Sequence, residues 1–158
     1  FLVLQEVKEG LNKIRLIFWD TKMKKDIPFD EQAYLASVGI NTEFDSKVVR
    51  FEYQSMTTPN STIDFNTLTG EKTVVKQQEV LGGFNKDLYQ TERIMAKVRD
   101  GVSVPISLVY RKDKFKKDGK NPCLEYAYGS YGYSMSPYFS ASRISLLDRG
   151  FVYAIAHI

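Results

Sequence analysis

The periodicity of apolar residues changes once along this chain, and that change constrains the fold more than any other feature. Up to about residue 111 the apolar residues fall in short alternating runs separated by turn residues, the pattern of antiparallel β-hairpins. From residue 122 onward a strand-like run, a helical stretch and an almost wholly apolar run follow one another, the pattern of a parallel β-α-β unit. The chain is therefore expected to pass from all-β to α/β architecture.

In the first part, FLVLQEV and KIRLIFW flank the turn signal Glu9-Gly10-Leu11-Asn12 and predict a strand pair. Residues 21 to 47 carry no clear periodicity and are expected to be irregular. VVRFEYQS at 48–55, TIDFNT at 62–67 and KTVVKQQ at 72–78 predict three short strands, separated by Thr57-Thr58-Pro59-Asn60 and Leu68-Thr69-Gly70-Glu71. Four such strands in roughly 40–50 residues make one propeller blade, so residues 1–78 are expected to hold one blade and part of another.

Leu81-Gly82-Gly83-Phe84-Asn85 reads as a linker, which places a domain junction between residues 79 and 90. Beyond it, ERIMAKVRDGVSVPISLVYRK has two alternating runs around Asp100-Gly101, a two-residue hairpin signal, and Pro105 argues that the second run lies at a sheet edge. PCLEYAY at 122–128 predicts a strand. Ser136-Pro137 fits a helix start and Gly150 a helix stop, so a helix is expected over 137–149. FVYAIAHI at 151–158 then predicts a parallel strand buried on both faces, joined by a right-handed crossover.

With 158 residues, of which 43% are hydrophobic and 13% aromatic, the chain can build a real core. It begins at Phe1 and stops at Ile158, in each case inside a strand-like run, and is expected to be a segment of a longer protein. One cysteine gives no disulfide framework, and no apolar run is long enough for a membrane span, so a cytoplasmic protein without membrane partners is expected. The net charge is +3, but RKDKFKKDGK at 111–120 alone carries +4 and leaves the rest at −1. With Phe115 as its only aromatic residue, that stretch reads as a solvated loop and not as a nucleic-acid surface.

The run YAYGSYGYSMSPYFSASRISLLDRGFVYAIAHI at 126–158 resembles the start of the catalytic domain of serine peptidases of the prolyl oligopeptidase family, the oligopeptidase B branch in particular. FEYQSMTTPNSTIDFNTLTGEKTVVKQQEV resembles the family's last propeller strands, and ERIMAKVRDGVSVPISLVYRK its first catalytic-domain hairpin. The resemblance is close from about residue 48 and extends to residues 1–47 by continuity. It implies a mixed fold, with antiparallel β in partial β-propeller blades over 1–78 followed by the first part of an α/β-hydrolase domain over 79–158. It also implies hydrolysis of short peptides after arginine or lysine, with prolyl specificity as the alternative and no cofactor. A stand-alone, non-enzymatic β-rich binding module is the rival reading.

A Ser-His-Asp hydrolase needs a nucleophile on a sharp turn, read as G-x-S-x-G, with a base and an orienting acid. No such motif occurs here, and Gly129-Ser130-Tyr131-Gly132 does not substitute for it. His157 is the only histidine and lies at the end of an apolar strand, where a structural role is expected. Cys123 is expected to be a small buried hydrophobe, and no cluster of metal ligands is apparent. The segment alone is therefore expected to be inactive. Tyr128 ends the strand before the crossover helix, where this fold supplies an oxyanion donor, and the resemblance makes it the oxyanion tyrosine. Tyr131 matches a position lining the pocket for the substrate residue before the scissile bond, with plain packing as the other reading. Where the family has Tyr-Gly-Tyr-Gly, this chain has Ala127, which raises the question whether a special backbone angle is needed there.

Overall fold

A computed structural model describes all 158 residues. Three sheets follow one another along the chain. The first is antiparallel: β1 (Leu2–Lys8), β2 (Leu11–Ile17) and β3 (Lys24–Asp26). The second is a four-stranded antiparallel meander of β4 (Tyr34–Val38), β5 (Val48–Ser55), β6 (Ser61–Asn66) and β7 (Lys72–Gln77). The third is mixed, in the order β10-β11-β9-β8, from β8 (Tyr89–Lys97), β9 (Ser103–Arg111), β10 (Cys123–Ala127) and β11 (Val152–Ala156), with helix α1 (Ala141–Asp148) between β10 and β11.

The first two sheets face each other across one core. Side chains two apart on a strand share a face. Ile14 and Leu16 of β2 therefore meet Tyr34 and Ala36 of β4, Val49 and Phe51 of β5, and Ile63 and Phe65 of β6. Phe29 joins this core from the loop before β4, stacking on Tyr53 with ring centroids 5.4 Å apart and meeting Phe51 edge-on at 5.6 Å. Cross-strand pairs Arg15–Asp26 and Arg50–Asp64 fix register on the outer faces, each with two hydrogen bonds between guanidinium and carboxylate.

The third sheet is seated on a second, smaller core in which Ala33 and Met56, from the ends of the second sheet, pack with Tyr89, Val109, Leu147 and Ile155. β10 and β11 run parallel, with Cys123 opposite Val152 and Ala127 opposite Ala156. α1 packs over β11 and β9. The helix stops in a Schellman arrangement: Phe151 N–H donates to the Leu146 carbonyl and Gly150 N–H to that of Leu147, with Gly150 at φ +88°.

Several sequence expectations are corrected. The helix covers 141–148, not 137–149; its N-cap is Ser140, and Pro137 lies before it, fully buried. The stretch 21–47 is not irregular throughout, because β3 and β4 lie within it. Lys24-Lys25-Asp26 escapes notice because it has no apolar residue to alternate, and Tyr34–Val38 because small Ala36 carries the buried face.

Asp100-Gly101 does not make a two-residue turn. It closes a longer loop in which Gly101 N–H bonds the Val98 carbonyl and Gly101 takes φ +87°. Pro105 is on an interior strand, β9. It is tolerated because β11 ends at Ala156: Pro105 accepts the His157 N–H at 2.9 Å through its carbonyl, and no further rung asks it for a donor.

Candidate functional site

The carboxyl ends of parallel β10 and β11 lie side by side, the place where open α/β sheets form crevices. Tyr128 leaves β10 there and His157 leaves β11. Gly129 passes directly over the end of β11: a Cβ on it would stand 2.9 Å from Ile158 Cγ1 and 3.2 Å from the Ile158 carbonyl. A side chain there would have to displace Ile158, so glycine suits the approach. Ala127, in contrast, is an ordinary last strand residue paired with Ala156, so the methyl group that distinguishes it from glycine is accommodated without a special backbone angle.

Tyr128 is 41% exposed, with its ring edge-on to Tyr133 at 6.2 Å. Tyr131 is 99% exposed in a short 3-10 turn and takes φ 58°, a left-handed conformation sparsely populated by aromatic residues. The two tyrosines are thus on one loop, but no aromatic contact joins them. Tyr131 packs on nothing within this chain, and its ring is open to contact from outside it.

His157 is buried, and both ring nitrogens are occupied. Nδ1 lies 2.7 Å from the Met135 carbonyl and Nε2 2.7 Å from the Ser107 hydroxyl. Burial pushes its pKa down, and the nearby Arg93 guanidinium adds to this against the raising effect of the Met135 carbonyl. A neutral, doubly tied imidazole has no free nitrogen for acid-base work. Cys123 is exposed at the head of β10, not buried as expected, because β10 is the uncovered edge of its sheet. Partial burial of its thiol and the adjacent Glu125 carboxylate raise its pKa, opposite to what a nucleophile needs.

Three polar arrangements escaped the sequence reading. Glu31 accepts hydrogen bonds from four hydroxyls: Tyr53 (2.6 Å), Ser55 (2.7 Å), Thr57 (2.7 Å) and Thr58 (2.9 Å). Burial, reinforced by this carboxylate, drives the Tyr53 phenol pKa far up. The cluster borders a cavity of about 540 Å³ between the second sheet and the start of β8, also lined by Lys72, Lys86 and Thr91. The available signal was Tyr53-x-Ser55-x-Thr57, hydroxyls at a spacing of two along one strand face.

Asp148, at the end of α1, accepts from the Tyr89 hydroxyl and the Arg111 guanidinium, each at 2.7 Å. Burial pushes its carboxyl up, but those two donors prevail and hold it below the usual range. Arg143 is buried between the rings of Tyr153 (4.2 Å) and Tyr138 (5.2 Å) and donates to the Tyr138 carbonyl. Beyond Arg111, the last residue of β9, residues 112–120 form a largely exposed loop, with Arg111 paired to Asp113 and a half-buried Phe115 stacked on Tyr110 at 3.9 Å.

Paired antiparallel blade-like sheets, leading into a mixed sheet with a tyrosine at its parallel crevice, define the class. Residues 1–78 match the family described as "Prolyl oligopeptidase, N-terminal beta-propeller domain". The chain belongs to the prolyl oligopeptidase family. It is 47% identical, over its whole length, to dipeptidyl aminopeptidase BI of Pseudoxanthomonas mexicana, and 31% identical over 99% of its length to protease 2 of Moraxella lacunata. It spans about a fifth of each relative, 22% in both cases. Its structure is similar to that of oligopeptidase B from Leishmania major, with a TM-score of 0.85 at 33% identity, covering 99% of this chain and 23% of that one.

Proposed function

We propose that this chain is the junction of a serine oligopeptidase, with residues 1–78 forming the C-terminal part of its β-propeller and residues 79–158 opening its α/β-hydrolase catalytic domain. The observation that carries the reading is Tyr128 at the carboxyl end of β10, beside parallel β11, with a β-α-β crossover between them. The likeness to both relatives continues past residue 78 to the end of the chain, which supports a junction rather than a propeller alone. The separate hydrogen bonding of the β4–β7 and β8–β11 sheets, with Gly82 and Gly83 at positive φ between them, supports a boundary within 79–90.

In this reading Tyr128 donates its hydroxyl to the oxygen of the tetrahedral intermediate. The gain is greatest when charge develops on that oxygen, because the hydroxyl then bonds an anion and no longer a carbonyl. Tyr131, fully exposed on the same loop, lines the pocket for the residue before the scissile bond. The nucleophile, acid and catalytic histidine lie outside this chain, so the chain by itself hydrolyses nothing.

The likeness to oligopeptidase B favours cleavage after arginine or lysine. Relatives named as a dipeptidyl aminopeptidase and as prolyl endopeptidases make the residue preference a matter for measurement. Reporter peptides carrying Arg, Lys, Pro or a free N-terminal dipeptide should be offered to the full-length protein and to the isolated chain. The full-length protein is expected to prefer the basic reporters and the isolated chain to turn over none. Turnover by the isolated chain overturns the assignment of the triad to segments outside it, and a prolyl preference overturns the specificity.

A further inference from the structure

We propose that His157 is a positioning residue for the loop that carries Tyr128 and Tyr131, and that the Glu9–Gly10 turn of the first sheet holds it in place. The role assigned to Tyr128 above is the premise.

His157 sits immediately beyond β11, 8% exposed. The Met135 carbonyl can only accept, so the 2.7 Å contact places the ring proton on Nδ1; Nε2 is then an acceptor and takes the Ser107 hydroxyl proton at 2.7 Å. Each nitrogen has one role, so the tautomer and the ring plane are both fixed. Met135 stands midway in the irregular segment between the 3-10 turn at Ser130–Gly132 and α1. The other hydrogen bonds of that stretch are local, Tyr133 N–H to the Ser130 carbonyl and Tyr138 N–H to Ser136, until Phe139 N–H reaches Gln54. His157 therefore supplies the hydrogen bond that ties the middle of the tyrosine loop to the sheet, at Ser107 of β9.

The turn of a different sheet packs against the same side chain. A Cβ on Gly10 would stand 3.3 Å from His157 Cβ and 3.4 Å from Cγ, closer than side chains ordinarily approach, so the turn rests on the base of the imidazole. Glu9 and Gly10 both have positive φ, 53° and 75°, which suits a two-residue hairpin turn, though it is an uncommon conformation for glutamate. The Glu9 carbonyl accepts a hydrogen bond from the Arg93 guanidinium of β8, fastening the strained turn to the third sheet beside His157. A shift of the blade hairpin is thereby transmitted to the imidazole, and from it to Met135 and the loop.

The test uses the full-length protein with three variants. His157→Asn keeps an N–H donor where Nδ1 was, His157→Gln keeps an amide only where Nε2 was, and His157→Leu keeps neither. Amide hydrogen exchange over residues 128–139 should accelerate in His157→Leu and His157→Gln, stay near normal in His157→Asn, and leave β8 and β9 unchanged. Turnover of an activated peptide should fall in the first two by up to about 10²-fold, the size of loss that a misplacement near 1 Å produces, with KM less affected. On a Tyr128→Phe background the same substitutions should cost little more. Unchanged exchange in 128–139, acceleration spread over the whole third sheet, or rescue by Gln instead of Asn overturns the proposal. Should His157→Leu fail to fold, the Asn and Gln pair alone decides. Normal turnover in Tyr128→Phe overturns the oxyanion assignment instead, and the exchange result still decides the role of His157.

Discussion

The β4–β7 sheet and the β8–β11 sheet have four strands each, yet they are covered very differently. In β6, Ser61, Ile63 and Phe65 are buried while Thr62, Asp64 and Asn66 are only half-buried, a strict alternation set by the facing first sheet. In β10 all five residues are exposed, although Leu124 and Tyr126 alternate with Cys123, Glu125 and Ala127 just as regularly. Alternation in sequence reports that a strand is built to be covered on one face, and whether a cover exists depends on residues elsewhere. β11, one position in from that edge, has neighbours on both sides and α1 above it, and it is buried.

The contrast predicts a ranking of substitutions. Phe65→Ala, emptying a fully buried site between two sheets, is expected to cost about 3–5 kcal/mol in urea unfolding. Next, Glu31→Leu leaves the buried hydroxyls of Ser55, Thr57 and Thr58 without their shared acceptor. At about 1–3 kcal/mol for each hydroxyl that finds no water, a loss of about 3 kcal/mol is expected. A loss under about 1 kcal/mol would mean that water replaces the carboxylate and that the cluster does not fasten the end of β5.

A smaller effect is expected at high pH. Burial, together with the Asp148 carboxylate for Tyr89 and the Glu92 carboxylate for Tyr110, pushes both phenols up to about 12. Between the unfolded value near 10 and that value the folded chain retains protons that the unfolded chain has released, so stability falls as pH rises through this window. Tyr89→Phe and Tyr110→Phe should each flatten the fall, measured as the urea midpoint from pH 9 to 12. On the acid side the sign reverses. Asp148, held below the usual range, contributes stability that is present above the ordinary carboxylate pKa and lost as pH falls through the lowered one, and Asp148→Asn should remove that share. Smallest of all, Leu124→Ala on exposed β10 should change stability by less than about 1 kcal/mol. A loss matching that of Phe65→Ala would show that β10 is covered after all and erase the contrast.

How far the sequence foretold this follows from which residues carry the pattern. β5 and β6 are legible within a residue or so because large apolar side chains recur every second position between turn signals, and β7 because the β-branched Thr73-Val74-Val75 run follows the Leu68–Glu71 turn. β3 had no apolar residue to count, and Pro105 misled because the rung it breaks lies past the end of its neighbour. The serine-proline pair at 136–137 resembles a helix start, whereas the chain stays irregular up to an extended Ser140, with Pro137 buried ahead of the first turn. Tyr128 and Tyr131 were legible as motif residues of a resembled family. The ties of His157, Glu31 and Asp148 were not, since each bonds residues more than twenty positions away that periodicity cannot bring together.

Tyr128 is the pivot of the proposed chemistry, and the turnover of Tyr128→Phe in the full-length protein probes its role most directly. The ring and its edge-on contact with Tyr133 are retained and only the hydroxyl is lost. Removing one oxyanion donor typically costs about 10²–10³-fold in kcat, or about 2.7–4 kcal/mol, so a drop of that size with KM nearly unchanged is expected on an activated peptide substrate. Near-normal turnover in Tyr128→Phe, with the loss appearing instead in Tyr126→Phe, would contradict the account.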